Sequence, residues 1–281
     1  MQTIAVTGGG GKLGQYVVRE LVRRQYKVVS LDRVHTAGLP CRQIIVDTSD
    51  LGQVASAMQG ADAVIHLAAV PSPTGFPVPA IFANNVMGSY NVLEAASMLG
   101  IRRVVMSSST SCYGFAWAVK PFAPLYFPVD EAHPQLTQEG YGLSKTVGEL
   151  IAEMYHRRNG MSVVSLRFSL IAAPEEYARL KRGAGKADEF AKILWSYVDI
   201  RDAADACAAS LRADVDGAVA LNITGDDTLS EIETAELLRA CYPEATDLRQ
   251  PLEGRAPLFS NALAKEMLGW RPRYRWADEL A

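Results

Sequence analysis

The chain opens on a β-prone run, Thr3-Ile4-Ala5-Val6-Thr7, that leads into Gly8-Gly9-Gly10-Gly11-Lys12-Leu13-Gly14; a helical apolar pattern over 13–24 follows. A strand, a turn with glycines at Gly8, Gly11 and Gly14, and then a helix form a unit with few structural uses. The first glycine permits a tight turn. The second lets the backbone approach a diphosphate, and the third lets helix and strand pack closely. The helix start, with Lys12 and Leu13 beside it, offers free N–H groups and a positive dipole end to an anion. A flexible structural turn is the plainer alternative. The context favours a dinucleotide site: a strand before, a helix after, and an acid, Asp32, closing the second strand.

Asp32 is placed to accept hydrogen bonds from the ribose hydroxyls of an adenosine, and its charge repels a 2′-phosphate. It therefore favours NAD over NADP. Arg33 and Lys12 carry charge that could reach such a phosphate, so NADP stays open. At the end of the third strand, Asp47 and Thr48 are candidates to meet the adenine. In Asp47-Thr48-Ser49-Asp50 a helix-capping role for the acid is equally consistent.

Short apolar, β-branched runs recur at 3–7, 27–31, 43–46, 63–67, 103–107, 162–167 and 219–223. Helical patterns fill 13–24, 51–58, 79–99, 141–159, 202–211 and 231–241. This alternation predicts an α/β fold: a doubly wound parallel Rossmann sheet of about seven strands, covered on both faces. Two stretches break the rhythm, a proline-rich loop at 71–79 and a long aromatic and proline-rich loop at 115–140. Loops of the second kind inside a compact domain are usually functional. Residues 1–170 with 196–225 are expected to form the nucleotide-binding domain. Residues 171–195 and 226–281 are expected to form a small C-terminal substrate-binding lobe.

A net charge of −3 over 281 residues offers no basic field for a nucleic acid. No apolar run is long enough to span a bilayer, and the N-terminus reads as a strand rather than a signal peptide. The four cysteines and four histidines are scattered, with no Cys-x-x-Cys pair, which argues against a disulfide framework or a metal site. A cytoplasmic, metal-free protein is the expectation.

Tyr141-Gly142-Leu143-Ser144-Lys145 opens a helical pattern, so the tyrosine and lysine lie on one helix face. An ammonium beside a phenol stabilises the phenolate, which can then exchange a proton with an alcohol. Such pairs also occur on exposed helices without function; this one follows a nucleotide-binding half. Ser107-Ser108-Ser109-Thr110-Ser111 follows the fifth strand. Ligands of open parallel sheets bind at strand carboxyl ends, so one hydroxyl there is expected to bond a substrate oxygen while the others serve turn and cap chemistry.

With these residues in place, the chain resembles an extended short-chain dehydrogenase/reductase of the NAD-dependent epimerase/dehydratase family, over nearly its whole length. Beyond the glycine turn, the matching segments are His66-Leu67-Ala68-Ala69, Asn85-Val86-Met87-Gly88-Ser89-Tyr90-Asn91, Ser107-Ser108-Ser109, Tyr113-Gly114, Tyr141 with Lys145, Tyr197-Val198-Asp199-Ile200-Arg201-Asp202 and Leu268-Gly269-Trp270-Arg271-Pro272. The resemblance implies that Ser109 orients the substrate oxygen and that Tyr141 is the acid/base. Lys145 would hold the nicotinamide ribose and tune Tyr141. Leu67, Ala68, Ala69 and Ser107 would line the cofactor. Asn85 would be a support residue, or simply a helix cap. His66 is expected to be structural. Tyr113 and Thr110 would flank the substrate, with Tyr113 alternatively filling space under a lid. Relatives pair helices like those at 79–99 and 141–159 across a dimer, so a homodimer is implied.

Two departures bear on the substrate. Nucleotide-sugar members carry a long insert after the sixth strand, whereas 172–195 is short here. They also often place an asparagine three positions after the arginine ending that strand, and here Arg167 is followed by Phe168, Ser169 and Leu170. The shortness is similar to that of uronate dehydrogenases; Tyr113-Gly114 and the aromatic loop are closer to the epimerases. Arg179, Lys181, Arg182 and Lys186 form a basic cluster that either meets an anionic substrate or is a solvated face. The expected activity is NAD(P)-dependent oxidoreduction of a sugar or sugar-acid hydroxyl, with a nucleotide-sugar 4-epimerase and a non-catalytic NAD(P)-binding sensor as alternatives.

Overall fold

The computed structural model of the chain describes residues 1–280. Its strands are β1 (Thr3–Thr7), β2 (Lys27–Asp32), β3 (Arg42–Ile45), β4 (Ala63–His66), β5 (Arg103–Ser109), β6 (Ser162–Phe168), β7 (Leu170–Ala172), β8 (Tyr197–Asp199) and β9 (Ala218–Ile223). Its α-helices are α1 (Lys12–Arg23), α2 (Leu51–Ala57), α3 (Val78–Met98), α4 (Gly140–Asn159), α5 (Tyr177–Ala184), α6 (Ile200–Ser210), α7 (Thr234–Cys241) and α8 (Ala262–Leu268). Seven strands form one sheet in the order β3-β2-β1-β4-β5-β6-β9, and every pair in it is parallel. Strand order reverses between β1 and β4, so the crevice beyond their carboxyl ends is the natural ligand site.

Alternation along the strands fills both faces. Ile4, Val6 and Ile65 join Val17, Leu21 and Ala203 under α1 and α6. Ala5, Val29 and Val64 join Val54, Val92 and Ala152 under α2, α3 and α4. Strands so covered are apolar on both sides, which explains their near-continuous hydrophobic sequence.

Two helix starts differ from the sequence pattern for identifiable reasons. The Asp199 carboxylate accepts from Arg201 N at 2.8 Å, so α6 begins at Ile200 rather than at 202. Ser230 Oγ accepts from Ile232 N at 3.1 Å and holds that stretch as a turn, so α7 begins only at Thr234.

The pairing of β7 with β8 is not visible in the sequence, because three-residue strands carry no periodicity. Beside these strands, Tyr177, Leu180, Tyr197, Leu229 and Trp276 form a separate apolar cluster. Another gathers Tyr113, Phe127, Trp195, Leu237, Leu258 and Phe259. The long loop is anchored within it by Phe127 N to Asp247 O at 2.9 Å and Val129 N to Leu258 O at 2.8 Å. The expected long loop is thus an ordered segment pinned to the C-terminal part of the chain.

Candidate active site

The glycine turn is held by close backbone approaches. Gly8 has φ +68°, and a Cβ there would stand 2.6 Å from Ala68 N. A Cβ at Gly14 would stand 2.0 Å from Gly8 O and 2.7 Å from Gly9 Cα. Both positions are closed to any side chain. Gly11 is different: it caps α1 at φ −68°, ψ 172°, and a Cβ would meet only Gly8 O, at 3.2 Å. Its lack of a side chain leaves backbone open to the crevice. A cavity of about 430 Å³ lies there, lined by Gly8, Gly11, Lys12, Leu13 and Gly14. Bare backbone at a helix start fits a diphosphate.

Asp32 reaches this turn: its Oδ2 accepts from Gly10 N at 2.9 Å. Arg33 turns away and donates to Asp47 Oδ1 and Asn84 Oδ1, both at 2.9 Å. Asp47 Oδ1 also accepts from Ser49 N at 2.9 Å and Ser49 Oγ at 2.8 Å. These bonds pull the Asp47 carboxyl down to about 2. Asp47 thus closes a local turn onto Ser49, while the helix-capping role falls to Asp50, whose Oδ1 accepts from Gln53 N at 3.0 Å at the start of α2. Thr48 is buried, and its carbonyl accepts from Asn91 Nδ2 at 2.9 Å, which ties it to α3. Lys12 donates to Ile171 O at 3.0 Å and pairs with Glu176, so its charge bridges the glycine turn to the segment after β7.

The same cavity is lined further by Leu67, Ala69, Ser107, Ser108, Ser109, Thr110, Ser111, Tyr141 and Lys145. Glu139 makes this possible at the start of α4: its carboxylate accepts from Tyr141 N at 2.6 Å and Gly142 N at 2.5 Å. Gly142 completes the fit, since a Cβ would lie 2.6 Å from Ser111 O. Tyr141 is thereby set beside Ser109. Burial pushes its phenol up to about 12, and the Ser109 hydroxyl acts in the opposite direction. Lys145 Nζ lies 5.7 Å from the Tyr141 ring centre and donates to Ser107 O at 2.9 Å. Burial pulls this ammonium down to about 8, opposed by the charge of Glu149. A buried cation beside a buried phenol stabilises the phenolate when the proton leaves.

The model of the NAD dependent epimerase/dehydratase family matches residues 4–224. The chain belongs to this family. Among curated proteins, L-arabinose 1-dehydrogenase (NAD(P)(+)) of Haloferax volcanii is 30% identical over 69% of this chain and 77% of its own length. UDP-glucose 4-epimerase of Lacticaseibacillus casei is 28% identical over 99% of this chain and 94% of its own. Among solved structures, a short-chain dehydrogenase/reductase superfamily protein from Agrobacterium tumefaciens with bound NAD superposes with a TM-score of 0.77 at 24% identity, covering 99% and 95% of the two chains. The last comparison bears on the fold, which is that of the epimerase/dehydratase family.

Within that family framework, several expected site residues stand elsewhere. Tyr113 is fully buried: its hydroxyl donates to Asn222 Oδ1 at 2.8 Å and accepts from Arg167 Nη1 at 2.8 Å, and its ring packs on Phe115 and Phe259. The substrate-flanking role gives way to the space-filling one. Arg179 sits on α5 with its side chain 63% exposed, and lines a separate 310 Å³ pocket with Arg182, Lys186 and Glu189. It does not reach the cavity. Asn85 lies inside α3, so it is no helix cap. It clamps Val70, donating to the carbonyl at 3.0 Å and accepting from the amide at 2.8 Å. Ala68 offers backbone against Gly8 rather than a cavity wall. Thr110 lines the cavity while donating to Phe168 O at 3.4 Å.

Sequence reasoning missed Pro71, Ala116, Trp117, Phe168, Ser169, Leu170, Ile171 and Ile193, which also line the cavity. For Ser169, Leu170 and Ile171 a signal existed: they follow the carboxyl end of β6, the position that singled out the serines after β5. Trp117 and Ile193 carry no such signal. Among the described residues, no group of three or more His, Cys, Asp or Glu could hold a metal ion. No described helix is long and apolar enough to cross a membrane.

Proposed function

We propose that the protein is an NAD-dependent oxidoreductase acting on a hydroxyl of a sugar or sugar acid. The single observation that carries this reading is the convergence of Ser109, Tyr141 and Lys145 on a cavity also lined by the glycine turn. A bare nucleotide sensor needs the turn but not the trio. NAD, when bound, supplies a hydride acceptor for the carbon bearing that hydroxyl. Gly8, Gly11, Lys12, Leu13, Gly14, Asp32, Leu67, Ala69, Ser107 and Lys145 would hold it. Ser109 donates a hydrogen bond to the substrate oxygen and orients it. Tyr141 as phenolate takes the hydroxyl proton at Oη. Lys145 stabilises that phenolate by charge, and its own position is fixed by Ser107. NAD is preferred over NADP because Asp32 faces the turn, while both cations that could offset it are engaged: Arg33 by Asp47 and Lys12 by Glu176.

The test is incubation with NAD and a panel of aldoses, uronates and nucleotide sugars. Net formation of reduced nicotinamide, lost in Tyr141→Phe, supports the proposal; turnover that survives Tyr141→Phe sinks the assignment. A second reading, nucleotide-sugar 4-epimerase, is favoured by the match to a UDP-glucose 4-epimerase along 99% of the chain. It predicts sugar interconversion without accumulation of reduced cofactor.

The proposal extends to a homodimer in the cytoplasm. Met87, Tyr90 and Met98 on α3 and Leu143 and Leu150 on α4 are exposed, an apolar surface that pairing of these helices would cover. Light scattering that finds only monomer excludes the dimer.

A further inference from the structure

Once the residues assigned to the cofactor and the pair Ser109 and Tyr141 are set aside, the cavity wall left for a substrate is largely apolar: Pro71, Ala116, Trp117, Leu170, Ile171 and Ile193. Its polar part consists of hydroxyls, from Ser108, Thr110, Ser111 and Ser169. Three of these donate inside the protein. Ser108 Oγ donates to Glu149 Oε1 at 2.6 Å, Thr110 Oγ1 to Phe168 O at 3.4 Å and Ser169 Oγ to Ile223 O at 3.3 Å. Ser111 Oγ accepts from Ser109 Oγ at 3.1 Å and keeps its own proton. The hydroxyl protons open to a substrate therefore gather beside Tyr141, where the reacting oxygen must sit. The rest of the wall is mostly C–H surface.

Charge is as sparse. Among the described residues that line the cavity, none is Arg, His, Asp or Glu, and the cations are Lys12 and Lys145. Lys12 is neutralised by Glu176. Lys145 donates to Ser107 O, and in the reading above its remaining donors go to the nicotinamide ribose. The basic cluster does not compensate, since Arg179, Arg182 and Lys186 line a different pocket. The helix start that can take a diphosphate is given to the cofactor. A carboxylate or a second diphosphate entering this cavity would give up water without meeting a free cation, which is strongly unfavourable.

We propose that the substrate is a free, uncharged monosaccharide: its reacting hydroxyl lies against Ser109 and Tyr141, its C–H face lies against Trp117, and uronates and nucleotide sugars are rejected for want of a counter-ion. The proposal rests on the reading of the protein as a sugar oxidoreductase and narrows it. A sugar ring carries hydroxyls at its rim and C–H bonds on its faces, so one ring satisfies both parts of the wall. A few placed polar groups fix its orientation, and the apolar surface supplies contact. Trp117 suits the second task. It lines the cavity while 42% exposed, and its indole offers a large, flat apolar surface. Trp117 is thereby a specificity-determining residue, with Leu170 on the same wall.

The experiment gives the full chain NAD and matched sugars: galactose, galacturonate and UDP-galactose, their glucose counterparts, and arabinose and xylose. Turnover is counted as net reduction of NAD or as sugar interconversion. The best aldose is expected to exceed every uronate and UDP-sugar in kcat/KM by at least about 100-fold, as an anion left without a partner requires. Binding is read separately, by tryptophan fluorescence in the Tyr141→Phe variant loaded with NAD. Trp195, Trp270 and Trp276 are each at most 2% exposed, so the solvent-sensitive signal belongs to Trp117. Aldoses are expected to move it and charged sugars are not. Trp117→Leu in the otherwise wild-type chain should raise KM for the aldose about tenfold with a smaller fall in kcat. Leu170→Arg sets a cation on the wall at a residue 36% exposed, where the guanidinium keeps part of its water. It should bring the uronate at least about tenfold closer to the aldose.

A uronate or UDP-sugar turned over as well as the best aldose overturns the proposal. So does a Trp117 signal that charged sugars move and aldoses do not, or that no sugar moves. If no sugar is turned over, or if turnover survives Tyr141→Phe, the functional reading fails instead, and the fluorescence titration still decides between an uncharged and a charged ligand.

Discussion

Arg167, on β6, grips Glu149, on α4, through two parallel contacts: Nε to Oε1 at 2.9 Å and Nη2 to Oε2 at 2.7 Å. Their side chains are only 6% and 10% exposed. The pair ties the catalytic helix to the sheet, and Arg167 Nη1 extends the grip to the Tyr113 hydroxyl. Removing one partner strands a buried charge, which costs about 3–5 kcal/mol. Arg167→Met is therefore expected to lower the unfolding free energy by about that much in urea denaturation. The paired change, Arg167→Met with Glu149→Leu, is expected to recover a large part of the loss, since no unpaired ion remains. Equal destabilisation by the single and the double change would show that the ionic contact is not what the site responds to.

Two glycines of the same turn should fail in different ways. An alanine at Gly14 places its Cβ 2.0 Å from Gly8 O, and backbone cannot yield there. Gly14→Ala is expected to destabilise the protein without cofactor by roughly 3 kcal/mol. Gly11 has backbone angles open to any residue and a single close neighbour at 3.2 Å. Gly11→Ala should keep the thermal midpoint nearly unchanged, yet lose at least about tenfold in NAD affinity, because its methyl group projects where a diphosphate must approach. Thermal melts and cofactor titration on both variants separate the two roles. Similar melts for the two would contradict the geometry.

The contrast between those glycines illustrates what a sequence carries. The seven-stranded sheet was legible because each strand announces itself locally, through β-branched runs such as 162–167 between helical patterns. The positions of Ser109, Tyr141 and Lys145 were legible because strand-end and i,i+4 rules act over a few residues. Tyr113 shows the limit. Its place in a motif says nothing of where its hydroxyl points, and that is decided by Arg167 and Asn222, both remote in sequence. Arg179 shows another: a basic cluster reads the same on either face of a helix, and α5 turns this one outward. The short cap itself was noticed, but Ile193 reaches the cavity from a short 3-10 turn, Ala191–Ile193, which no local pattern signals.

Cofactor preference offers a sharper test of the adenosine end. Asp32 accepts from Gly10 N at 2.9 Å and from Arg33 N at 2.7 Å, so deleting its side chain would loosen the turn as well as remove charge. Asp32→Asn retains an acceptor and removes only the charge. The ratio of kcat/KM for NAD to that for NADP is expected to fall by about tenfold, a difference of about 1.4 kcal/mol, with little change in Tm. An unchanged ratio would mean that the carboxylate does not face the ribose hydroxyls.

Acid stability should report on His66, which is buried at the end of β4. Its Nδ1 lies 2.7 Å from Thr7 Oγ1 and its Nε2 lies 3.4 Å from Ser89 Oγ. Burial, reinforced by the nearby Lys145 charge, pulls this imidazole down from 6.5 to about 3. The folded value lies below the unfolded one, so the unfolded chain takes up the proton first. The stabilisation is complete above pH 6.5 and drains away as pH falls toward 3. By pH 5 it amounts to about 2 kcal/mol lost, at about 1.4 kcal/mol for each pH unit. His66→Gln keeps hydrogen-bonding capacity and cannot take up that proton. Unfolding free energies measured from pH 7 to pH 4 should therefore fall more steeply for the wild-type chain than for the variant. Parallel curves would mean that His66 takes up its proton at the same pH in the folded and the unfolded chain, which would require a rearranged pocket around Thr7 and Ser89.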